Sequence, residues 1–216
     1  MSLKTIRLLS CVCFASWLSG CQITTAGKNG YNGNWAPLFD GTSIDGWKQS
    51  DFLNLGITYA RDRTLIIPAG EVLSGVTWTR DFPKMDYEIR LEAMRADGSD
   101  FFCGLTFPVN DSFASLILGG WGGTVCGISC LDGEDAANNE TTTSILFKNR
   151  AWYTVRLRVT KDKLEAWLDN EKIVNADTKD RQIGVRIEVE ESRPLGLATY
   201  QTTAALRNVS WRKLVE

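Results

Sequence analysis

There is no histidine among the 216 residues of this chain. That absence removes the Ser–His–Asp and Cys–His devices of nucleophilic catalysis and every zinc site that needs an imidazole. Any acid or base must then be a carboxylate, a lysine, a tyrosine, a thiolate or water. Proline is scarce, at five residues, and Pro37 and Pro194 stand at strand approaches, where a missing N–H does least harm. A basic surplus is also lacking. Lys and Arg number 24 against 26 Asp and Glu, no basic stripe stands out, and nucleic acid is disfavoured as a partner. From Trp35 onward no segment keeps a helical period.

What is present describes an ordinary globular chain: 44% hydrophobic and 23% charged residues, of a length that suits one sandwich or barrel. Eight tryptophans are a high count. Both β cores and sugar-facing surfaces use tryptophan, so the count leans toward carbohydrate without deciding it.

The first twenty residues read as a targeting segment. Lys4 and Arg7 precede the apolar stretch Leu8–Leu18, which is too short to span a bilayer. Leu18-Ser19-Gly20-Cys21 resembles the bacterial lipoprotein signal. That resemblance implies cleavage before Cys21, lipid on its thiol and new amine, and a location in the cell envelope, facing the periplasm or on the cell surface, with the membrane met through the anchor only. The alternative is an ordinary secretory signal with a chance cysteine. Cleavage would leave 22 basic against 26 acidic residues, a net charge of −4. Residues 22–34 are small, polar and glycine-rich, so residues 21–34 read as a lipidated tether and 35–216 as one domain.

The strand signals are dense. Tyr87–Ala93, Tyr153–Val159 and Val185–Glu190 alternate apolar and polar residues, the pattern of strands with one buried and one wet face. Asp169-Asn170, Lys161-Asp162 and Arg61-Asp62 punctuate hairpins. A dozen or so short strands without helices spell an all-β antiparallel sandwich. Three cysteines remain in the folded part, an odd number. Cys126 and Cys130 could close a local bridge on a turn but not on an extended strand, where they would lie roughly 13 Å apart. The expectation is three buried free thiols, with no imidazole to activate any of them.

Three stretches resemble a known family. Trp35–Thr42 with Gly46-Trp47 resembles "x-LFDG-x-S-L-x-G-W"; Asp86–Glu92 and Trp152-Tyr153 with the Asp169-Asn170 hairpin resemble its middle strands. Pro194–Leu197 and Leu206–Val209 resemble its closing "G-x-I-G-L-Q…F-R-N-I-x-i". The family is the 3-keto-disaccharide hydrolase domain. The resemblance implies a concanavalin A-like jelly roll, related to laminarinases and lectin-like sugar-binding modules. Its reaction would begin with loss of the proton beside a C3 ketone, followed by expulsion of the leaving sugar and addition of water. Such a site needs a carboxylate base, a donor for the enolate oxygen and an acid for the leaving group. The sequence departs from the pattern at two places. Asp100–Pro108 stands where "NSG-[IL]-x-x-R" is expected, and Ser115–Trp121 where "G-[YF]-E-x-Q-I-x-D" is expected, so the ligand-facing asparagine, arginine and glutamate are missing.

Candidate catalytic carboxylates are Asp100, which opens the replaced strand or caps it, and Asp132 and Glu134 in the stretch GGWGGTVCGISCLDGEDAANNE. In the same stretch Asp135, Asn138, Asn139 and Glu140 are candidate substrate ligands, the alternative being a solvated loop. Glu188 and Glu190 join them as an i, i+2 pair about 7 Å apart on a strand, flanked by Arg186 and Arg193 as an ion-pair ladder would be. Glu88, Arg90 and Glu92 place a cation inside the laminarinase "E-x-D-x-x-E" frame, which disfavours double-displacement chemistry. Calcium could use the oxygen-rich loop, although Ala136 and Ala137 break the EF-hand spacing. Trp121, among four glycines on the rim of the concave sheet, reads either as a plate for a sugar ring or as a core residue. The functions in play are hydrolysis of a 3-keto-glycoside, carbohydrate binding without catalysis, and a surface interaction role. No cofactor is called for.

Overall fold

A computed structural model describes residues 34–214. The leader, Cys21 and nearly all of the tether lie outside the described residues. The strands are β1 (Ala36–Pro37), β2 (Trp47–Gln49), β3 (Tyr59–Arg61), β4 (Thr64–Ile67), β5 (Leu73–Trp78), β6 (Tyr87–Asp97), β7 (Cys103–Val109), β8 (Ser112–Gly120), β9 (Val125–Ser129), β10 (Thr143–Ser144), β11 (Trp152–Val159), β12 (Lys163–Leu168), β13 (Glu171–Asp177), β14 (Gly196–Tyr200) and β15 (Thr203–Lys213). They form two antiparallel sheets. The first runs β13-β12-β11-β6-β15-β4-β3, with β1 added on β15, and the second runs β10-β9-β8-β7-β14-β5-β2. The all-β jelly-roll sandwich expected from the sequence is the fold observed.

Alternation decides which side chains fill the space between the sheets. On β6, Tyr87, Ile89, Leu91 and Ala93 are buried in the core, while Arg90 and Glu92 face outward. Val155, Leu157 and Val159 do the same on β11, and Leu105, Phe107, Leu116 and Leu118 meet them from β7 and β8. Each such side chain contributes about 1.5–3 kcal/mol when taken out of water. Trp47 packs edge-on against Trp78 at 5.1 Å and donates its indole N–H to the carbonyl of Leu38. One of the eight tryptophans is thereby tied to the "LFDG" stretch.

The hairpin turns fall close to where the sequence puts them. Asp169 has φ 52° and its carboxylate accepts the N–H of Thr154. The β3–β4 turn sits one residue later than expected, at Asp62-Arg63, both at positive φ.

One expected strand is not a strand. Val185–Glu190 enters a 3-10 turn over Ile187–Ser192, in which only Val189 and Ser192 are buried and Ile187 is 81% exposed. Its backbone has other partners. Gly184 and Cys130 exchange both hydrogen bonds, Arg186 and Glu190 carbonyls take the N–H groups of Val189 and Arg193, and the Glu191 carbonyl accepts Thr77 Oγ1 at 2.7 Å. Residues 181–195 therefore cross the outer face of the second sheet as a strap instead of extending it.

Candidate functional site

The outer face of the second sheet is built from small side chains. Thr77 on β5, Thr106 on β7, Ser115 on β8, Ser129 on β9 and Ala198 on β14 are all buried there. The strap needs that smallness: a methyl group on Gly196 would meet Ser192 O at 2.4 Å, and Ser112 Oγ reaches up to Ile183 O. The strap roofs one half of the face. The other half is an open hollow of about 360 Å³.

Leu73, Ser115, Ile117 and Ser129 make the floor of this hollow. One wall is aromatic: Phe101 and Tyr200 lie 6.1 Å apart at a tilt of 36°, and Trp121 stands beside them, 43% exposed. The opposite wall is the strap, through Arg186, Glu188 and Val189. A floor and wall of this kind suit a ligand with an apolar face and a few polar edges.

Trp121 is held out by the β8–β9 turn. It has φ 49°, with Gly119, Gly122 and Gly123 also at positive φ. Two of these glycines make room for the protein itself, not for a ligand. A Cβ on Gly119 would lie 2.8 Å from Arg95 Nη2, and one on Gly123 would lie 2.4 Å from Ser99 O. Arg95, 5% exposed, donates to Gly123 O at 2.8 Å and rests over the rings of Phe102 and Phe147. A buried cation thus anchors the turn that presents the tryptophan.

The carboxylates in and near the hollow are already engaged. Asp100 lines it, but Oδ1 accepts Phe101 N–H at 2.7 Å and Oδ2 accepts Gly122 N–H at 2.9 Å. Glu188 is gripped by Arg186 through two hydrogen bonds of 3.2 and 2.8 Å, and the Arg186 guanidinium holds its carboxyl below the usual range. Arg186 also donates to Asp135 at 2.9 Å, and Asp135 in turn accepts Ala137 N–H and Asn138 Nδ2, so strap and loop are pinned together.

The other candidates lie elsewhere. Asp132 and Glu140 share Arg181, outside the hollow. The Gln182 N–H comes first in lowering the carboxyl pKa of Asp132, and Arg181 does so for Glu140. Glu134 is exposed, and its backbone forms a reciprocal pair with Leu131. Asn139 is a loop staple: its amide N–H₂ points at the carbonyls of Ile128, Glu134 and Asp135, and its oxygen accepts from Thr141. Glu190 is paired with Arg193. The i, i+2 spacing argued for Glu188 and Glu190 fails with the strand that carried it. Among the described residues no group of three or more His, Cys, Asp or Glu is gathered as a metal site.

Among the described residues the three thiols are free. Burial pushes Cys103 up to about 12, with Cys126 adding to it, and pushes Cys126 up to about 11, so neither serves as a thiolate near neutrality. Cys130 is only half-buried, contrary to expectation, because it leaves β9 at the strap; its sulfur lies 3.4 Å from Ser129 Oγ. Sequence reasoning missed Phe101 and Tyr200, and it named Arg186 only as a flank of the Glu188 and Glu190 pair. The doublet Phe101-Phe102 was a usable signal, since neighbours on an extended chain face opposite ways.

The model of the 3-keto-alpha-glucoside-1,2-lyase-like domain matches residues 34–212. The chain belongs to that family. No curated protein matches it significantly in sequence. Solved structures share the fold at low identity. A candidate glycosyl hydrolase from Parabacteroides distasonis is 13% identical with a TM-score of 0.55, covering 85% of this chain and 94% of its own. The carbohydrate-binding module CBM66 from Bacillus subtilis is 13% identical with a TM-score of 0.51, over 81% and 98%. A glycosyl hydrolase family protein from Mycobacterium fortuitum is 11% identical with a TM-score of 0.50, over 79% and 94%. Within the lyase-like family pattern, Ser115 and Ile117 occupy the stretch where glutamate and glutamine are expected. Here they form an uncharged floor.

Proposed function

We propose that this member of the family is a carbohydrate-directed jelly roll that binds a saccharide in the hollow beside Trp121 and does not cleave it. The supporting observation is an aromatic-walled hollow whose carboxylates are each bound to backbone N–H groups or to arginine. A sugar ring presents C–H groups that stack on Trp121, Phe101 or Tyr200. Asp100 keeps lone pairs for sugar hydroxyls beyond the two it uses internally. Elimination at a 3-keto-glycoside would instead need an acid or base titrating near the working pH. Glu188, held ionised by Arg186, is poorly suited to either role. The lipoprotein-like leader adds a second part to the proposal, that the domain works at the cell envelope on a lipid anchor.

The test uses the mature chain on a glycan array and by titration calorimetry. Saccharide binding is expected, and Trp121→Ala should weaken it several-fold with an unchanged melting temperature, since the ring is 43% exposed. Incubation with 3-keto-trehalose or 3-keto-sucrose should release no monosaccharide. Release at enzymatic rates would restore the lyase or hydrolase reading, and an unchanged array profile for the variant would remove Trp121 from the site.

A further inference from the structure

A second hollow, of about 510 Å³, lies on the outer face of the first sheet, on the other side of the sandwich from the Trp121 site. Two irregularities build it. In β15 the register shifts, so that Arg207 faces Glu92 while Ser210 faces Arg90, one more residue on β15 than on β6. Asn208, at φ 54°, falls in that bulge. Bulges of this kind re-aim side chains and recur beside functional sites. Leu38 and Phe39 then cap the bulge, both donating to Val209 O, and Trp35 is carried over the face with them.

The charges around this hollow are unequally partnered among the described residues. Arg156, Arg158 and Arg212 converge on the fully buried Glu88, and Arg207 pairs with Glu92. Glu165 and Lys172 form a further neutral pair beside them. Arg90 has no carboxylate partner among the described residues. Its Nε donates to Ser210 Oγ at 3.0 Å, its guanidinium lies 4.2 Å from the Trp35 ring centre, and the guanidinium of Arg212 lies 4.7 Å from the same ring. Among the described residues Arg90 therefore brings to the hollow a positive charge that neither Glu88 nor Glu92 holds. Partial burial first, and the like charge of Arg212 second, lower the proton affinity of Arg90; a bound anion would relieve the second of these.

We propose that this second hollow binds an acidic monosaccharide unit, its carboxylate taken by the Nη atoms of Arg90 and its hydroxyls by Thr154 and by the carbonyl oxygen of the Asn208 amide, whose N–H₂ already donates to Glu92 at 2.5 Å. Arginine presents two parallel N–H groups to a carboxylate, a geometry lysine cannot copy. The volume is far larger than a bare oxyanion needs. Its lining also alternates polar groups with Pro37 and Phe39, as a pyranose with one apolar face requires.

The experiment titrates the mature protein with sodium D-glucuronate, D-glucose and sodium sulfate, in the wild type and in Arg90→Met and Arg90→Lys. Glucuronate should bind at least tenfold more tightly than glucose or sulfate and lose affinity as salt rises. Arg90→Met should abolish that binding and Arg90→Lys should weaken it about tenfold. Trp121→Ala should leave it unchanged, which separates this site from the one above. Arg90 points away from the core and keeps only its Ser210 bond and its stacking on Trp35, so both variants should fold, which melting curves check. Equal binding of glucose, equal binding of sulfate, or indifference to Arg90→Met would each overturn the proposal. So would retention on phosphatidylglycerol vesicles without glucuronate binding, which would make the face a membrane contact.

Discussion

Asp40 lies within the "LFDG" stretch and clamps the turn that follows it. Its carboxylate accepts the N–H groups of Thr42 and Ser43 at 2.6 and 2.9 Å and the Ser43 hydroxyl at 3.2 Å. Those bonds, the Thr42 N–H first, bring its pKa down to about 2. A carboxyl depressed in the folded state stabilises it fully above the unfolded value of about 3.9 and stops doing so as pH falls through the folded one. Denaturant midpoints should thus hold steady from pH 7 to 5 and decline between about pH 4 and pH 2. Asp40→Asn should flatten part of that decline, and a variant with the wild-type acid slope would show that the turn contributes nothing. At this scale the sequence was partly readable. Asp100, Trp121 and Glu188 were picked out and do line one hollow. Phe101 and Tyr200 were not, because an aromatic near a strand end looks the same from sequence whether it faces the core or a ligand.

At the level of elements, the strap is where pattern reading failed. Val185–Glu190 alternates as cleanly as β6, yet alternation reports only that neighbouring side chains meet different surroundings. On β6 those are the core and the outer face; on the strap they are the top of the second sheet and water. What distinguishes them is a long-range contact, the Thr77 hydroxyl at the Glu191 carbonyl, shared with Ser50 Oγ at 2.8 Å. Thr77→Val should cost about 1–3 kcal/mol by leaving that carbonyl unmet. Amide exchange over Ile187–Ser192 should then accelerate well before the core strands do; unaltered protection in this segment would mean that the Cys130–Gly184 pair, Ser112 and the Arg186–Asp135 bond hold the strap without Thr77. The loop after β9, for which the sequence leaves ligand residues and a plain loop both open, depends on such contacts too. Its amides and acids look available in the sequence, but Asn139 and Asp135 spend their hydrogen bonds on their own loop and on the strap.

Taken whole, the molecule is a sandwich whose interior was legible and whose two outer faces were not. Period-two alternation on β6, β11 and β12 identifies the inward residues, and their burial follows from it. Phe107, fully buried between the sheets, should cost about 3–5 kcal/mol on truncation to alanine, read from urea midpoints. A loss under 1 kcal/mol would contradict the tight packing described. The outer faces depend on which strands end up adjacent. Glu88 looks in sequence like a wet-face residue, yet it is sealed beneath arginines from β11 and β15 that lie about 70 and 124 residues away along the chain. Likewise, the smallness of Gly196 makes sense only once Ser192 has been laid across it, since a Cβ there would meet the Ser192 carbonyl oxygen at 2.4 Å.

Arg186, Glu188 and Val189 wall one side of the hollow beside Trp121, whose volume of about 360 Å³ is that of a small-ligand pocket. Under the saccharide-binding proposal a polymer would place only a short stretch of itself there. Affinity should then plateau once an oligosaccharide exceeds one or two units.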